Sequence, residues 1–594
     1  MADWTDQDSD WEAAPAAAAH GAGLSAPPPR AAGVTVAPAW WRTRSVPQGA
    51  WVAALIAIAA WNLWRQRLFF HDDAFIELRY VHHLLTLGQA VWNPGEWVEG
   101  FTSVLHLLLV TGVAWWGQAS GLSLPGAAHA VNFVAYAVVL GSGWLTLRQV
   151  SPQHLWPRLA GMAVLVGSAP LAIWVWGALE APLASAWVSL AWMFWTRATL
   201  RQGQAVHPSA WACVPVGVCM ALAVATRPDT LLLLLGALAA GLWAERPGQG
   251  TDVRGWRGWR AWRAWTWRWA PSVAAILIPM ALIQGLLLWA RWTLYGDVAP
   301  NTYYAKVHGI AVLHRLQTGG LYLLRTVLDV PALLGVPVLL VLMRAAWQDR
   351  WVVRSAAGVG LFVAGLWWVG GDHMAAGRFV VPALPLLAVC VTRLWWVPQP
   401  GRRAQQWLWL LLLACLLSPL LRPELRRDSA AWAGQLVGQH MAANWPAGTL
   451  VALNTAGAPA YHAPDLRFID MLGLNDRHIA RRVMTTLDQP MQRLPGHMKG
   501  DGAYVLSREP DVIMLGWAEG QVAEQSQFLG DKELALSSEF HRCYRLAQVQ
   551  LSYDADYAHL GKRPLAPMPM TYYERVCPKR QQGSVTPMMP IKPS

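Results

Sequence analysis

Residues 271–292, PSVAAILIPMALIQGLLLWARW, carry a single charge, Arg291. As a helix rising about 1.5 Å per residue, this run matches the ~30 Å hydrocarbon core of a bilayer. Lipid offers the backbone no hydrogen-bond partners, so the run reads as a helix, which satisfies its own N–H and C=O groups. Apolar runs of roughly 17–22 residues, again the length of a span, recur between residues 51 and 421. They predict an α-helical polytopic membrane protein with roughly 11–13 transmembrane or half-membrane helices. Composition agrees: 14% of the 594 residues are charged, against about 25% in a soluble protein.

The net charge of +12 would suggest nucleic acid in a soluble chain. Here the arginines sit in short loops between apolar runs, where topology explains them better. Most of the 39 tryptophans flank or end those runs, as suits the headgroup region. The acidic, then Ala/Pro-rich segment 1–47 reads as a disordered cytoplasmic tail and not as a signal peptide. Arg42 and Arg44 precede the first apolar run and place the N-terminus inside.

Expected spans are 48–63, 102–117, 126–147, 159–178, 181–197, 209–226, 228–244, 271–292, 329–346, 354–370, 379–397 and 405–421, with a polar first periplasmic loop at 70–101. Ser168-Ala169-Pro170 interrupts the 159–178 run. Loop parity closes only if that run enters and leaves on one side, which leaves Arg148 and Arg158 outside, against the positive-inside rule. The Arg/Trp repeat 254–269 reads as a cytoplasmic loop with interfacial tryptophans. Beyond residue 423 short strand-like runs predict a periplasmic α/β domain over 423–563, followed by a loose Pro/Met-rich tail, 564–594. Cys213, Cys219, Cys390 and Cys415 lie in apolar runs. Cys543 and Cys577 can bridge if their domain is exported.

The polar first loop opens with His71-Asp72-Asp73. Adjacent carboxylates at a membrane boundary repel each other and lose solvation, which raises one pKa. One of them can serve as a general base toward a sugar hydroxyl. Equally, both can cap the helix that follows. Glu180, Arg227, Asp229, Lys306, Asp372, His373 and Arg378 fall at the same predicted end of other helices. Charges near a membrane are costly and often functional. Acidic and basic groups on one external face suit an anionic lipid phosphate held beside a carboxylate.

The run His71-Asp72-Asp73-Ala74-Phe75-Ile76-Glu77-Leu78-Arg79-Tyr80, with Trp92-Asn93-Pro94-Gly95-Glu96 and Val98-Glu99-Gly100-Phe101-Thr102-Ser103, resembles the first periplasmic loop of the GT-C glycosyltransferases. Further matches follow in order: Gly177-Ala178-Leu179-Glu180, Thr226-Arg227-Pro228-Asp229, Tyr295-Gly296-Asp297 through Pro300-Asn301-Thr302-Tyr303-Tyr304-Ala305-Lys306, Gly370-Gly371-Asp372-His373-Met374, Gly377-Arg378-Phe379, Ile469-Asp470-Met471-Leu472-Gly473-Leu474-Asn475-Asp476 and Gly496-His497-Met498-Lys499-Gly500-Asp501-Gly502. Within that superfamily the chain most resembles mycobacterial terminal β-(1→2)-arabinofuranosyltransferases and their proteobacterial relatives, some named flagellar motor control proteins.

The resemblance implies a polyprenyl-phosphate-sugar donor, a periplasmic glycan or glycolipid acceptor, and inverting transfer in one displacement at a bacterial inner membrane. The sugar it implies is arabinofuranose or another pentose. Asp72 and Asp73 map onto the aspartate pair, one of which is the base. Arg227, Lys306 and Arg378 map onto basic positions for the donor phosphate, with Arg378 preferred because a guanidinium grips phosphate bidentately. The chain lacks a second arginine within Met374-Ala375-Ala376-Gly377, where His373 can compensate. No dedicated metal-ligand set is visible, although two aspartates beside a phosphate leave a divalent cation open. Asp470, Asp476, His478 and Arg481 read as caps and turn residues ahead of acceptor ligands. Two other readings stand: a non-catalytic envelope or flagellar-motor-associated protein on the same scaffold, which the retained Asp-Asp pair disfavours, and a transporter, which the lack of clear internal repeats disfavours.

Overall fold

The computed structural model describes residues 48–201, 204–205, 207–244, 256–396, 401–484, 487–553 and 567–580. The expected disordered tail 1–47 and the arginines Arg246 and Arg254 lie outside these. Among the described residues four helices are long and apolar enough to cross a membrane: Leu124–Val150, Arg263–Tyr295, Arg350–Val369 and Arg402–Leu421. Two bent pairs raise that number to six, and four shorter apolar helices accompany them.

Contacts between loops sort the helices into two ends. Helix Arg350–Val369 runs from Asp349 at one end to the Gly370–Arg378 loop at the other. At the Asp349 end Arg393 pairs with Asp349 and donates to the Val150 carbonyl at 2.6 Å, and Trp396 donates to Ser151 Oγ at 2.6 Å. The segment after Val150, flanked by Arg148 and Arg158, therefore lies with the arginine-bearing loops. At the Asp372 end His129 sits 5.6 Å from Phe70 and donates from Nε2 to the Trp176 carbonyl at 3.0 Å.

These contacts correct the expected topology. Leu155–Val166 and Ala169–Trp176, bent by 41° at Ser168-Ala169-Pro170, lead from the Asp349 end to the Asp372 end and do not return to the end at which they began. The run that fails to cross is Val104–Gly117. Fourteen residues make about 21 Å of helix, short of the ~30 Å core. Its first residues lie at the site end, where Thr102 meets Thr302, and the chain re-enters near His129 on that same side. Arg148 and Arg158 then flank a segment at the same end as Asp349 and Arg393.

Two further differences follow from helix continuity. The Arg/Trp repeat is not a loop from Trp256 onward: Trp256–Tyr295 is one helix of 40 residues. The expected 329–346 span is instead Ala332–Leu342, joined at 88° to an amphipathic helix, Val312–Asp329, that apolar runs did not reveal.

The C-terminal part is an α/β domain with five strands: β1 Leu450–Leu453, β2 Arg467–Asp470, β3 Val512–Met514, β4 Tyr544–Leu551 and β5 Met568–Arg575. Their order is β2-β1-β3-β5-β4, with β1, β2 and β3 parallel and β5 antiparallel to both neighbours. The segment 567–580 is thus not a loose tail. Its Thr571-Tyr572-Tyr573 core has strong strand formers and pairs along the whole of β4. Cys543 and Cys577 form a disulfide that closes the end of this hairpin. A loop of 34 residues gives a chain-entropy stabilisation of about 3–4 kcal/mol. Thiol labelling of unreduced membranes is expected to leave Cys543 and Cys577 unmodified, with labelling after reduction. Labelling of either without reductant overturns the bridge.

Buried polar clasps fix this domain against the membrane part. Arg79 donates to the carbonyls of Trp92 at 2.7 Å, Leu466 at 2.9 Å and Ala460. Lys499 donates to the Tyr304, His308 and Ala480 carbonyls. Asn301 Nδ2 reaches the Gly473, Leu474 and Asp476 carbonyls. Such buried donors have no water to fall back on, so each clasp is costly to break.

Candidate functional site

Helix Asp72–Leu87 begins at the inner edge of the first loop, where His71 Nδ1 accepts the Asp73 backbone N–H at 3.2 Å. A helix start turns its first side chains in different directions, and the two aspartates separate. Asp72 is buried and accepts the Ala458 N–H at 2.8 Å. A Cβ on Gly457 would lie 2.4 Å from its Oδ2, so only glycine allows this approach. Burial raises the Asp72 pKa well above the ordinary carboxylate range, helped by repulsion from Asp428 and Asp73 and opposed by the Ala458 N–H.

Asp73 faces open space with its side chain 23% exposed. Partial burial pushes its pKa up, but Lys306, His71, His373 and Arg378 together outweigh that and hold it below the ordinary carboxylate value. The pair therefore divides: Asp72 ties the loop to the α/β domain, and Asp73 is the ionised group at the cavity. Neither aspartate caps the helix that follows: His71 does so, Asp72 bonds across to Ala458, and Asp73 is left facing the cavity.

Two cavities meet at Asp73 and Lys306. One, of about 590 Å³, has a mostly apolar wall including Ile76, Leu179, Leu232 and Phe379 and contains Glu180, Arg227, Asp229 and Arg378. The other, of about 370 Å³, lies against the α/β domain and contains His71, Asp72, His373 and Asp428. Eight of the nine expected site residues thus line one cavity or the other; the ninth, Asp372, pairs with Arg378.

Their pairing was not expected. Arg227 is held by Glu180 at 2.9 Å and by Asp229 at 2.5 Å, and stacks on Phe379. Arg378 is gripped by Asp372 through Nε at 3.1 Å and a terminal nitrogen at 3.0 Å. Burial opposes ionisation of Asp372, yet Arg378 and His373 hold its pKa far below normal. Among the described residues Lys306 makes no ion pair and no hydrogen bond, and it reaches both cavities. The unpaired cation is therefore Lys306, not Arg378. His373 lines the polar cavity, its ring 4.6 Å from His497.

Sequence reading passed over Glu77, which pairs with His106 at 2.6 Å and lines the apolar cavity. The signal was present: Glu77 follows Asp73 by four residues, one helical turn on the same face. It also passed over the Arg291–Glu99 pair at 2.5 Å on the rim. Asp470 accepts the Leu472, Gly473 and Asn475 N–H groups, and Asp476 caps Ile479. His478 and Arg481 lie in a separate surface groove. Among the described residues no group of three or more His, Cys, Asp or Glu is placed to hold a metal ion. The cations Lys306 and Arg378 near Asp73 oppose a divalent metal ion at that carboxylate.

A family model described as a domain of unknown function, DUF8728, matches residues 424–567. The terminal β-(1→2)-arabinofuranosyltransferase of Mycobacterium tuberculosis is 27% identical over 371 residues, covering 57% of this chain and 54% of that protein. The chain thus spans about half the length of that relative. Among solved structures, ArnT from Cupriavidus metallidurans bound to undecaprenyl phosphate aligns over 88% of this chain and 97% of its own, at 12% identity and a TM-score of 0.46. The arabinofuranosyltransferase AftD from mycobacteria aligns over 89% and 42%, at 15% identity and 0.43. The Archaeoglobus fulgidus oligosaccharyltransferase tethered with an acceptor peptide aligns over 72% and 64%, at 10% identity and 0.41. At these scores the structural likeness carries neither residue correspondence nor chemistry. In sequence the chain is similar to a terminal arabinofuranosyltransferase, and its ordered motifs resemble those of the GT-C glycosyltransferases.

Proposed function

We propose that this protein is a membrane-embedded inverting glycosyltransferase. It moves a sugar, arabinofuranose on the sequence kinship, from a polyprenyl-phosphate donor to a glycan or glycolipid acceptor on the external side of a bacterial inner membrane. The observation that carries this reading is the ionised Asp73 beside the unpaired Lys306 at the junction of an apolar and a polar cavity. The apolar cavity suits the lipid of the donor. Its phosphate comes to rest at Lys306, and the acceptor hydroxyl enters from the polar side.

In the transfer, Asp73 takes the acceptor proton as the hydroxyl oxygen attacks the anomeric carbon from the face opposite the phosphate. The C–O bond to the phosphate breaks, its electrons stay on the departing lipid phosphate, and Lys306 neutralises the charge that develops there. Arg378 and Arg227, each held by carboxylates, shape the pocket floor. One displacement inverts the anomeric centre. The test is purified protein with a radiolabelled polyprenyl-phosphate pentose and a glycan acceptor. Transfer with inverted anomeric configuration is expected. Retained configuration, or binding of donor with no transfer to any envelope glycan, overturns the reading.

The acid limb of the pH profile follows from Asp73. A base works only when deprotonated, and a depressed pKa keeps it deprotonated to lower pH. kcat/KM is expected to stay level from about pH 8 to about pH 5 and to fall only below about pH 4. A limb centred near pH 6–7 would take the role of base away from Asp73.

A further inference from the structure

We propose that the crevice at the carboxyl ends of β1, β2 and β3 is a saccharide-binding site for the acceptor, with the Trp517 ring as its platform. This rests on the glycosyltransferase reading and assigns a task to the C-terminal domain. Parallel strands leave their crevices at their carboxyl ends, where ligands of α/β sheets usually bind. Asn454 and Thr455 follow β1, Leu472 follows β2, and Trp517 follows β3. All four line the 370 Å³ cavity that has Asp73 at its inner end. That volume is in the range of ligand pockets, about 300–1,000 Å³.

The wall is aromatic and held rigidly. Trp517 keeps 42% of its surface exposed and meets Phe528 edge-on at 5.2 Å. His497 lies 6.4 Å from Trp517 and 4.6 Å from His373, so rings continue inward toward Asp73. A sugar ring presents a face of C–H groups, to which the negative face of an indole is complementary. Its hydroxyls then fall toward the polar edge at Asn454, Thr455 and the imidazoles.

Fully buried Asp531 organises this edge. It accepts from Asn454 Nδ2 at 2.9 Å, the Gly516 N–H at 2.7 Å and Ser526 Oγ at 2.5 Å. Asn454 Nδ2 also reaches the Gly516 carbonyl. Gly516 has φ +78°, a backbone that favours glycine, and this turn sets Trp517 at the cavity rim. The exposed indole thus follows a turn anchored by the buried Asp531 and stands on the cavity whose inner end is Asp73.

The test uses the full chain in detergent, with methyl α-D-arabinofuranoside and methyl α-D-mannopyranoside as probes in saturation-transfer NMR. At least one probe is expected to bind wild type and Asp73→Asn alike. Trp517→Ala is expected to weaken that binding at least tenfold, and Trp517→Phe to preserve most of it, with thermal melting unchanged. In turnover, Trp517→Ala raises the acceptor KM at least tenfold while the donor KM and kcat hold. Failure of both probes to bind wild type, or equal binding by Trp517→Ala, overturns the proposal. Binding without turnover by wild type overturns the glycosyltransferase reading and leaves the saccharide site standing.

Discussion

Asp73→Asn is expected to lower kcat for transfer by about 10²–10⁴-fold, the usual share of a general base. Asparagine keeps the shape and the hydrogen-bonding carbonyl but cannot accept the acceptor proton. Asp73 makes no side-chain hydrogen bond among the described residues, so its loss leaves the fold undisturbed, and donor binding is expected to persist. Asp72→Asn contrasts with it. The Asp72 carboxyl is pushed toward its neutral form by burial and serves the Ala458 N–H, a task an asparagine oxygen also performs. Activity of that variant is expected within about threefold of wild type, a difference worth under 1 kcal/mol. Asp72→Ala leaves a buried N–H without a partner and costs about 1–3 kcal/mol of stability. Parallel turnover and melting measurements on the three variants decide the matter. Equal losses from Asp72→Asn and Asp73→Asn would show that the two carboxylates act as a unit, and a fully active Asp73→Asn would remove the catalytic claim.

The split between these aspartates shows where sequence reading stops. Their position at a membrane boundary and their proximity to basic groups could be read from His71-Asp72-Asp73 and its spacing from the apolar runs. Which carboxylate is tied down and which is left at the junction of the two cavities depends on Gly457, which packs on Asp72 from 385 residues away by the numbering of the chain, and no local pattern encodes that contact. The helical breaks follow the same rule. Ser168-Ala169-Pro170 stops a helix by a local device, a serine cap ahead of a proline, and was legible. The amphipathic helix Val312–Asp329 was not, because its charges break up the apolar run by which spans are recognised. The fate of 102–117 was misjudged because apolar content reports burial in something apolar, whether lipid or protein, and does not report crossing. Likewise the residues 567–580 carry Tyr and Thr at strand positions, but the Pro/Met-rich surroundings hide a strand whose partners lie in β3 and β4.

The three cations at the site look alike in sequence and differ in what holds them, which makes their substitution informative. Lys306→Ala removes a charge that makes no ion pair or hydrogen bond among the described residues, so the fold is expected to tolerate it. Transfer is expected to suffer, with kcat/KM down by about 10²–10³-fold, the loss typical of deleting one group that stabilises developing charge. A second signature separates this from mere crowding. Of the charges near Asp73, Lys306 lowers its pKa most. Its removal is expected to move the acid limb of the pH profile upward, toward or above the ordinary carboxylate range, whereas an indirect structural effect leaves the limb in place. Arg378→Ala acts differently. It strands the buried Asp372 without its guanidinium, a kind of change that costs about 3–5 kcal/mol of stability. Its activity loss is therefore expected to accompany a lowered melting temperature, and pairing it with Asp372→Asn is expected to restore much of that stability. If instead Lys306→Ala turns over normally while folded Arg378→Ala loses donor binding, the phosphate belongs to Arg378, and the guanidinium must exchange Asp372 for the donor during the reaction.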